Sequence, residues 1–139
     1  MQTREHLLAV VEPTVEGEAP LAFATDLVAR GGQATVMLVV TARARHEFRR
    51  FADSENLGHG HAERIAIDRL VDAYKSRVGG DIDAIVVDSA TSSSDLLSAA
   101  TTSSATSIAI PQHLATRPVL HELVFGSSVP VLIAPNRAA

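Results

Sequence analysis

The sequence predicts an α/β fold, an open three-layer sandwich in which a five-stranded parallel sheet lies between layers of helices. Short apolar runs without polar alternation, such as residues 6–11 and 34–40, are typical of strands that are buried on both faces. Segments with helical spacing separate these runs, and strands joined by right-handed helical crossovers run parallel. The 139 residues are enough for one domain with a substantial core, which we expect to span residues 1–139.

The first part of the chain is predicted to form a strand, a helix and a second strand. The apolar run at residues 6–11 is the first strand. Residues 18–30 carry apolar side chains at helical spacing and are followed by a pair of glycines that begins at Gly31, which indicates the end of a helix. Residues 34–40 are rich in β-branched side chains, which favours a strand.

The middle of the chain is predicted to contain two helices and the third strand. The polar stretch after the second strand contains a short helix at residues 47–52. Residues 62–78 place apolar side chains between charged ones, and glycines follow, so a longer helix is expected there. The third strand is residues 83–88, in which Asp83 and Asp88 stand at the two ends of an apolar run.

The last part of the chain is predicted to alternate in the same way. Ser and Asp side chains at residues 92–95 indicate the start of a helix, because they accept hydrogen bonds from free backbone N–H groups. Residues 107–110 form the fourth strand, and Pro118 suits the first turn of a short helix. Residues 129–134 form the fifth strand, on which we expect the sheet to end.

Composition and charge exclude several classes of function. The net charge of −4 argues against a general nucleic-acid or membrane-surface binder. The chain contains no cysteine, which excludes disulfides, thiolate catalysis and Cys-ligated metals. No apolar run approaches the ~20 residues that cross a bilayer. We therefore expect a protein of the cytoplasm that has neither a membrane nor a nucleic acid as its partner.

Residue patterns typical of catalysis or of a metal centre are missing from the sequence. There is no Gly-x-Ser-x-Gly elbow and no Ser-His-Asp arrangement, so we predict no catalytic residues and expect no enzymatic activity. His59, His61 and Glu63 bring two imidazoles and a carboxylate close together in sequence. Glycines flank them, which indicates a flexible polar loop and no metal site.

A cluster of positive side chains follows the second strand. It consists of Arg43, Arg45, His46, Arg49 and Arg50. The cluster predicts a solvated helix face, and the alternative is a surface that steers an anionic ligand or partner.

Asp88 ends the third strand, where response-regulator receivers place their phosphoacceptor aspartate. A receiver also has an acidic pair after its first strand, whereas this chain has Glu12 there, and a Lys after its fifth strand, whereas Pro135 follows here. A receiver-like interaction domain is an alternative that predicts a sheet order beginning 2-1-3.

The order of elements and two stretches of sequence resemble the universal stress protein family. Residues 7–14, LLAVVEPT, are similar to that family's first strand and its Val-Asp-Gly-Ser turn. Residues 130–133, PVLI, are similar to its Pro-Val-Leu-Val last strand. The resemblance implies an adenine nucleotide alpha hydrolase-like fold with the sheet order 3-2-1-4-5.

The last strand, which begins at Val129 and ends at Ala134, is apolar and carries no protecting charge. An open edge of this kind is a liability unless it is covered or paired. The resemblance implies a homodimer in which two copies of this strand pair across a two-fold axis. Pro130 and Pro135 lack N–H groups and would limit that ladder to a few hydrogen bonds.

Many universal stress proteins bind ATP through a loop after strand four that reads G-x2-G-x9-G-[ST], in which glycines let backbone N–H groups approach phosphate oxygens. This chain has no glycine between Ile110 and the next helix, and Arg117-Pro118 stand where the Gly-Ser pair would be. Glu12 stands where the family has the Asp that contacts the nucleoside. We therefore predict that the protein does not bind ATP in the family manner and carries no cofactor.

The resemblance implies a small regulatory or stress-response protein that acts by binding and homodimerisation, with a protein partner that the sequence does not name. The alternative is an adenine-nucleotide-binding switch or slow ATPase with a remodelled phosphate site. Such a site would use polar residues near the carboxyl ends of the strands, where open α/β sheets bind ligands. These residues are Glu12, Thr14, Thr41, Gln112 and Arg117.

Overall fold

Strands and helices follow one another in the computed structural model in the order that the sequence predicts. The structure describes residues 5–14, 16–40, 42–54, 58–80, 82–88, 98, 102–112 and 129–135. The strands are β1 (His6–Val11), β2 (Gln33–Val40), β3 (Asp83–Asp88), β4 (Ser107–Pro111) and β5 (Val131–Ala134). The helices are α1 (Pro20–Ala29), α2 (Ala42–Ser54) and α3 (His59–Val78). The helices predicted near residues 92 and 118 lie outside the described residues.

The five strands form one sheet in the order β3-β2-β1-β4-β5, and all four pairings between neighbours are parallel. β1 is the central strand, where Leu7 pairs with Ala34 of β2 on one side and with Ser107 of β4 on the other. The predicted order 3-2-1-4-5 is therefore confirmed. The receiver-like alternative is wrong, because it requires β1 between β2 and β3.

The central strand is buried on both faces, as its continuous apolar run predicts. Leu7 and Val11 belong to one core cluster, which includes residues of α1, α2 and α3. Leu8 and Val10 belong to a second cluster on the opposite face, together with Met37 of β2 and residues of β4. Successive side chains of a strand point to opposite faces, so each apolar residue of β1 contributes to one of two cores.

The helices differ from the predicted ones at their starts. α1 begins at Pro20 instead of residue 18, because proline suits the first helical turn, where an N–H group has no partner in the helix. The helix closes at Gly31, which adopts a φ of 91°.

α2 has 13 residues and extends well beyond the predicted 47–52. Its Ala and Arg residues favour a helix. Phe48 is buried and belongs to the core cluster on this side of the sheet.

The flexible loop expected around His59 and His61 is wrong, because these residues begin α3. Gly58 precedes the helix with an extended backbone, at φ −65° and ψ 143°. The carboxylate of Glu63 is engaged by Arg45 of α2, whose Nε lies 3.1 Å from Oε1. Across the described ranges, no group of three or more His, Asp or Glu residues could hold a metal ion.

β5 begins at Val131, two residues later than the sequence predicts. Pro130 has no N–H group to give to a ladder, and its carbonyl oxygen instead accepts a 2.9 Å hydrogen bond from the N–H of Ile108. β5 is the edge strand next to β4. No helix within the described ranges is long and apolar enough to cross a membrane.

Polar residues of three neighbouring strands lie at the amino end of the sheet. Nε2 of His6 lies 2.7 Å from Oγ1 of Thr35, in hydrogen-bond contact across β1 and β2. The N–H of His6 donates a 3.0 Å hydrogen bond to Oγ1 of Thr106. Thr35 is buried and pairs with Asp83 of β3. Burial lowers the pKa of His6, and the negative charge of Asp83 opposes that shift.

Candidate functional site

The candidate site lies at the carboxyl end of the sheet, where the chain changes direction. From β1 the chain continues outward to β2 and β3, whereas β4 and β5 lie on the other side of β1. The crevice between the ends of β1 and β4 is therefore the position at which open α/β sheets bind ligands. Glu12 follows β1 and Gln112 follows β4.

Glu12 and Gln112 follow the two neighbouring strands that border this switch point. The register between β1 and β4 is constant from Leu7 with Ser107 to Ala9 with Ala109. This pairing ends at Ala9 and Ala109, three residues before Glu12 and Gln112. Glu12 is 7% exposed, whereas Gln112 is exposed. The N–H of Gln112 donates a 2.9 Å hydrogen bond to the carbonyl oxygen of Ala134, which fixes the end of β4 against β5.

The turn between β1 and α1 folds back on Glu12 through its own hydrogen bonds. The N–H of Glu12 donates to the carbonyl oxygen of Gly17 at 3.0 Å, and the N–H of Thr14 donates to the carbonyl oxygen of Glu12 at 2.8 Å. Oγ1 of Thr14 accepts a 2.8 Å hydrogen bond from the N–H of Gly17. The backbone around Glu12 is therefore held in place by the turn itself.

Gly17 makes this close turn possible. A Cβ atom at this position would lie 2.7 Å from Cβ of Glu12, from the carbonyl oxygen of Glu12 and from Oγ1 of Thr14. Two of these three neighbours belong to the turn's own hydrogen bonds, so they have little freedom to move away. Sequence reasoning did not identify Gly17, and a lone glycine shortly before Pro20 is its only signal.

The side chain of Glu18 connects this turn to α3. The N–H of Glu18 donates to the carbonyl oxygen of Thr14 at 3.0 Å. The Glu18 carboxylate accepts a 2.8 Å hydrogen bond from the hydroxyl of Tyr74 and lies 3.4 Å from Nη1 of Arg77. Tyr74 is 2% exposed. Burial, together with the neighbouring Glu18 carboxylate, raises the pKa of Tyr74, so its hydroxyl stays protonated and remains a donor.

The described part of the site offers three kinds of polar group. The carboxyl group of Glu12 offers oxygen acceptors, and the Gln112 amide both donates and accepts. The Thr14 hydroxyl accepts from Gly17 and still has its own proton to donate. Groups of these kinds form hydrogen bonds with hydroxyl and amino groups.

Two of the five predicted site residues cannot be placed beside them. Thr41 and Arg117 lie outside the described residues, as does the segment that replaces the family's phosphate loop. The structure therefore places Glu12 and Thr14 in the turn after β1 and Gln112 at the end of the neighbouring strand β4, and it leaves the phosphate half of the predicted site as a prediction.

The positive cluster of α2 is partly neutralised by acidic neighbours. Arg45 pairs with Glu63 of α3 at 3.1 Å, and Nη1 of Arg50 lies 3.7 Å from Oε1 of Glu47. His46 and Arg49 are exposed. The side chain of Arg43 is outside the described part of the structure. This arrangement agrees with the predicted solvated helix face.

Comparison of the fold with solved structures decides what it resembles. A universal stress protein from Archaeoglobus fulgidus in complex with dAMP superposes with a TM-score of 0.57 at 13% identity, over 96% of this chain and 98% of that one. A protein of the same family from Burkholderia pseudomallei gives 0.59 at 19% identity, over 93% and 94%. A universal stress protein in complex with cAMP gives 0.58 at 15% identity, over 95% and 97%.

The chain has the universal stress protein fold. The resemblance predicted from residues 7–14 and 130–133 is thus confirmed as a likeness of fold over nearly the whole chain. No protein-family model matches the sequence, and no curated protein matches it significantly. Sequence identities below 20% fit this result. This chain therefore shares the fold with these proteins although it shares few residues with them.

Proposed function

We propose that this chain is a cytoplasmic regulatory protein of the universal stress type, which acts by binding a protein partner as a homodimer paired through β5. The observation that carries the proposal is the exposed apolar edge of the sheet. Leu132 and Ile133 are 40% and 48% exposed, and as successive strand residues they point to opposite faces. Apolar side chains exposed on both faces of an edge strand are typical of a surface that is covered in the functional state.

An antiparallel pairing of two β5 strands would match apolar residues with apolar residues. Around a two-fold axis at the centre of the strand, Val131 lies opposite Ala134 of the second copy, and Leu132 lies opposite Ile133. No like charges meet in this arrangement. Pro130 and Pro135 border the strand and keep the ladder short, so side-chain burial has to supply most of the stabilisation.

The first experiment is sedimentation equilibrium of the full chain over a wide range of protein concentration. The proposal expects a dimer, and Ile133→Lys should shift it to the monomer because the substitution places a charge in the paired strand. Val86→Lys makes the same change at a residue that is 45% exposed on the opposite edge strand, and it should keep the wild-type mass. A wild-type monomer at all concentrations would contradict the dimer.

We further propose that the protein does not bind ATP in the manner of its fold relatives. The support comes from the sequence after β4, which lacks the glycines that would bring N–H groups to the phosphates. Pro118 also removes an N–H donor from the start of the predicted helix.

A nucleotide switch is the second candidate, and the position of Glu12 and Gln112 at the carboxyl ends of the neighbouring strands β1 and β4 favours it. Their carboxylate and amide groups could hold the hydroxyl or amino groups of a nucleoside. Two structural neighbours are complexes with the monophosphates dAMP and cAMP, which need fewer phosphate contacts than ATP. In this candidate, Thr14 and Thr41 line the site and Arg117 holds the single phosphate.

Calorimetric titration separates the two candidates. The titrants are AMP, cAMP, ADP and ATP, each with and without magnesium. Saturable binding of a monophosphate in the micromolar range supports the nucleotide switch. The absence of heat and of a shift in melting temperature at millimolar nucleotide supports a protein that acts by dimerisation and partner binding alone.

A further inference from the structure

The sheet has a second edge, β3, which differs from β5 in its charge. In the described part of the chain, β3 pairs with β2 and with no other strand. Val86, in the middle of the strand, is 45% exposed, and Asp83 is exposed as well. The strand reads DAIVVD, so an apolar centre is enclosed by one acidic residue at each end. A backbone edge of this kind is a template for another strand unless something opposes pairing.

The acidic ends oppose pairing with a second copy of the same strand. When two β3 strands pair antiparallel about a two-fold axis through their centre, Ile85 lies opposite Val86 of the copy. In the same register Asp83 lies opposite Asp88, and the symmetry repeats this contact at the other end. Like charges directly opposite each other destabilise an antiparallel pair. The equivalent pairing of β5 opposes no charges.

We propose that Asp83 and Asp88 form a charge barrier that prevents β3 from pairing with β3 of another copy, so that assembly of this chain is confined to the β5 edge. A dimer paired through β5 would present one β3 edge at each end of its continuous sheet. Without a barrier, those two edges would continue the sheet from dimer to dimer and open a path to fibres.

The barrier and the β5 dimer make separate predictions. The proposed function concerns pairing through the β5 edge, whereas the barrier concerns the β3 edge on the opposite side of the sheet. If the wild type were a monomer, the β5 dimer would be wrong, yet removal of the barrier would still produce a new dimer. The same sedimentation experiment therefore reports on each proposal independently.

Charge reversal at one end of β3 is the sharpest test. In Asp88→Lys, the new lysine lies opposite Asp83 of the copy at both ends of the pair, so two repulsive contacts become two attractive ones. We expect self-association through β3 to tighten about tenfold or more. Asp83→Lys creates the same two contacts from the other residue and gives the same expected result, so the test does not depend on one variant's folding.

In the double variant, with Asp83→Lys and Asp88→Lys together, lysine lies opposite lysine at both ends of the pair, so both contacts are repulsive again. It should return to the wild-type mass although it carries the larger change in net charge. Asp72→Lys, at an exposed position of α3, controls for net charge alone and should also keep the wild-type mass. Far-UV circular dichroism verifies the fold of each variant. Wild-type mass for both single variants overturns the proposal, and so does equal association of the double variant or of Asp72→Lys.

Discussion

The hydroxyl of Tyr74, buried in the helical layer, donates a 2.8 Å hydrogen bond to Oε2 of Glu18 at the turn that precedes α1. This contact connects α3 with the segment that holds Glu12 and Thr14. Tyr74→Phe removes the donor and leaves the ring, so the expected loss of stability is about 1–2 kcal/mol. Denaturant unfolding measures it.

The control for that prediction is Arg77→Gln. The Arg77 guanidinium lies 3.4 Å from the other oxygen of Glu18, and its side chain is 56% exposed. Water screens such a pair, so the expected loss of stability is below about 0.5 kcal/mol. Equal losses for the two variants would show that the buried hydroxyl adds nothing beyond the surface charge.

Gly17→Ala tests the close approach in the turn after β1. The added methyl group meets three atoms at 2.7 Å, two of them on Glu12 and one on Thr14. We expect a loss of about 1–3 kcal/mol, which is typical of overpacking. Gly58→Ala is the control, because nothing lies within 4 Å of its added carbon. Its cost is confined to a weaker start of α3, about 1 kcal/mol or less. The prediction fails if Gly17→Ala unfolds at the same denaturant concentration as wild type.

His6 makes stability depend on pH in the acid range. Burial lowers its pKa below the ordinary value of 6.5, so the folded state binds the proton less readily than the unfolded state does. The stabilisation is therefore complete above pH 6.5 and is lost as the pH falls through the lowered pKa of the folded state. Unfolding free energies of wild type and His6→Gln, measured from about pH 8 to about pH 5, should diverge below the ordinary histidine pKa. Parallel curves would contradict this assignment.

Glu12→Gln tests the nucleotide candidate at the residue that directly follows the central strand β1. The change removes a charge and keeps the size of the side chain. If a monophosphate binds through hydroxyl or amino groups held by the carboxylate, its affinity should fall about tenfold, because hydrogen bonds to a charged group are the stronger ones. Glu16→Gln is the matched control, since Glu16 is exposed in the same turn. Calorimetry that finds equal affinities for both variants would exclude Glu12 from the site.

The sheet could be predicted from the sequence because its signal is local. Each strand buried on both faces produces a continuous apolar run, and both β1 and β3 were predicted with the bounds that the structure has. The strand order came from the family resemblance, since apolar runs specify strands and not their neighbours. α2 was predicted too short because residues 42–46 include no large apolar side chain that would mark a helix in the sequence.

The candidate site was predictable only in part. The carboxyl ends of the strands indicate where Glu12 and Gln112 stand, because open parallel sheets bind ligands there. The contact between Tyr74 and Glu18 joins residues 56 positions apart, and no spacing rule relates them. The role of Gly17 depends on how closely the turn approaches Glu12, which becomes visible only in three dimensions.

The central position of β1 has a consequence for how the protein is synthesised. One neighbour, β2, follows within the first forty residues, whereas the other, β4, is separated from β1 by 100 positions at the contact of His6 with Thr106. During synthesis, the edge of β1 that pairs with β4 therefore stays unpaired until most of the chain has left the ribosome. The core cluster of Leu8 and Val10 cannot form earlier, because it includes residues of β4. Nascent chains that end before β4 should be substrates for chaperones, and protease resistance should appear only after β4 has left the ribosome.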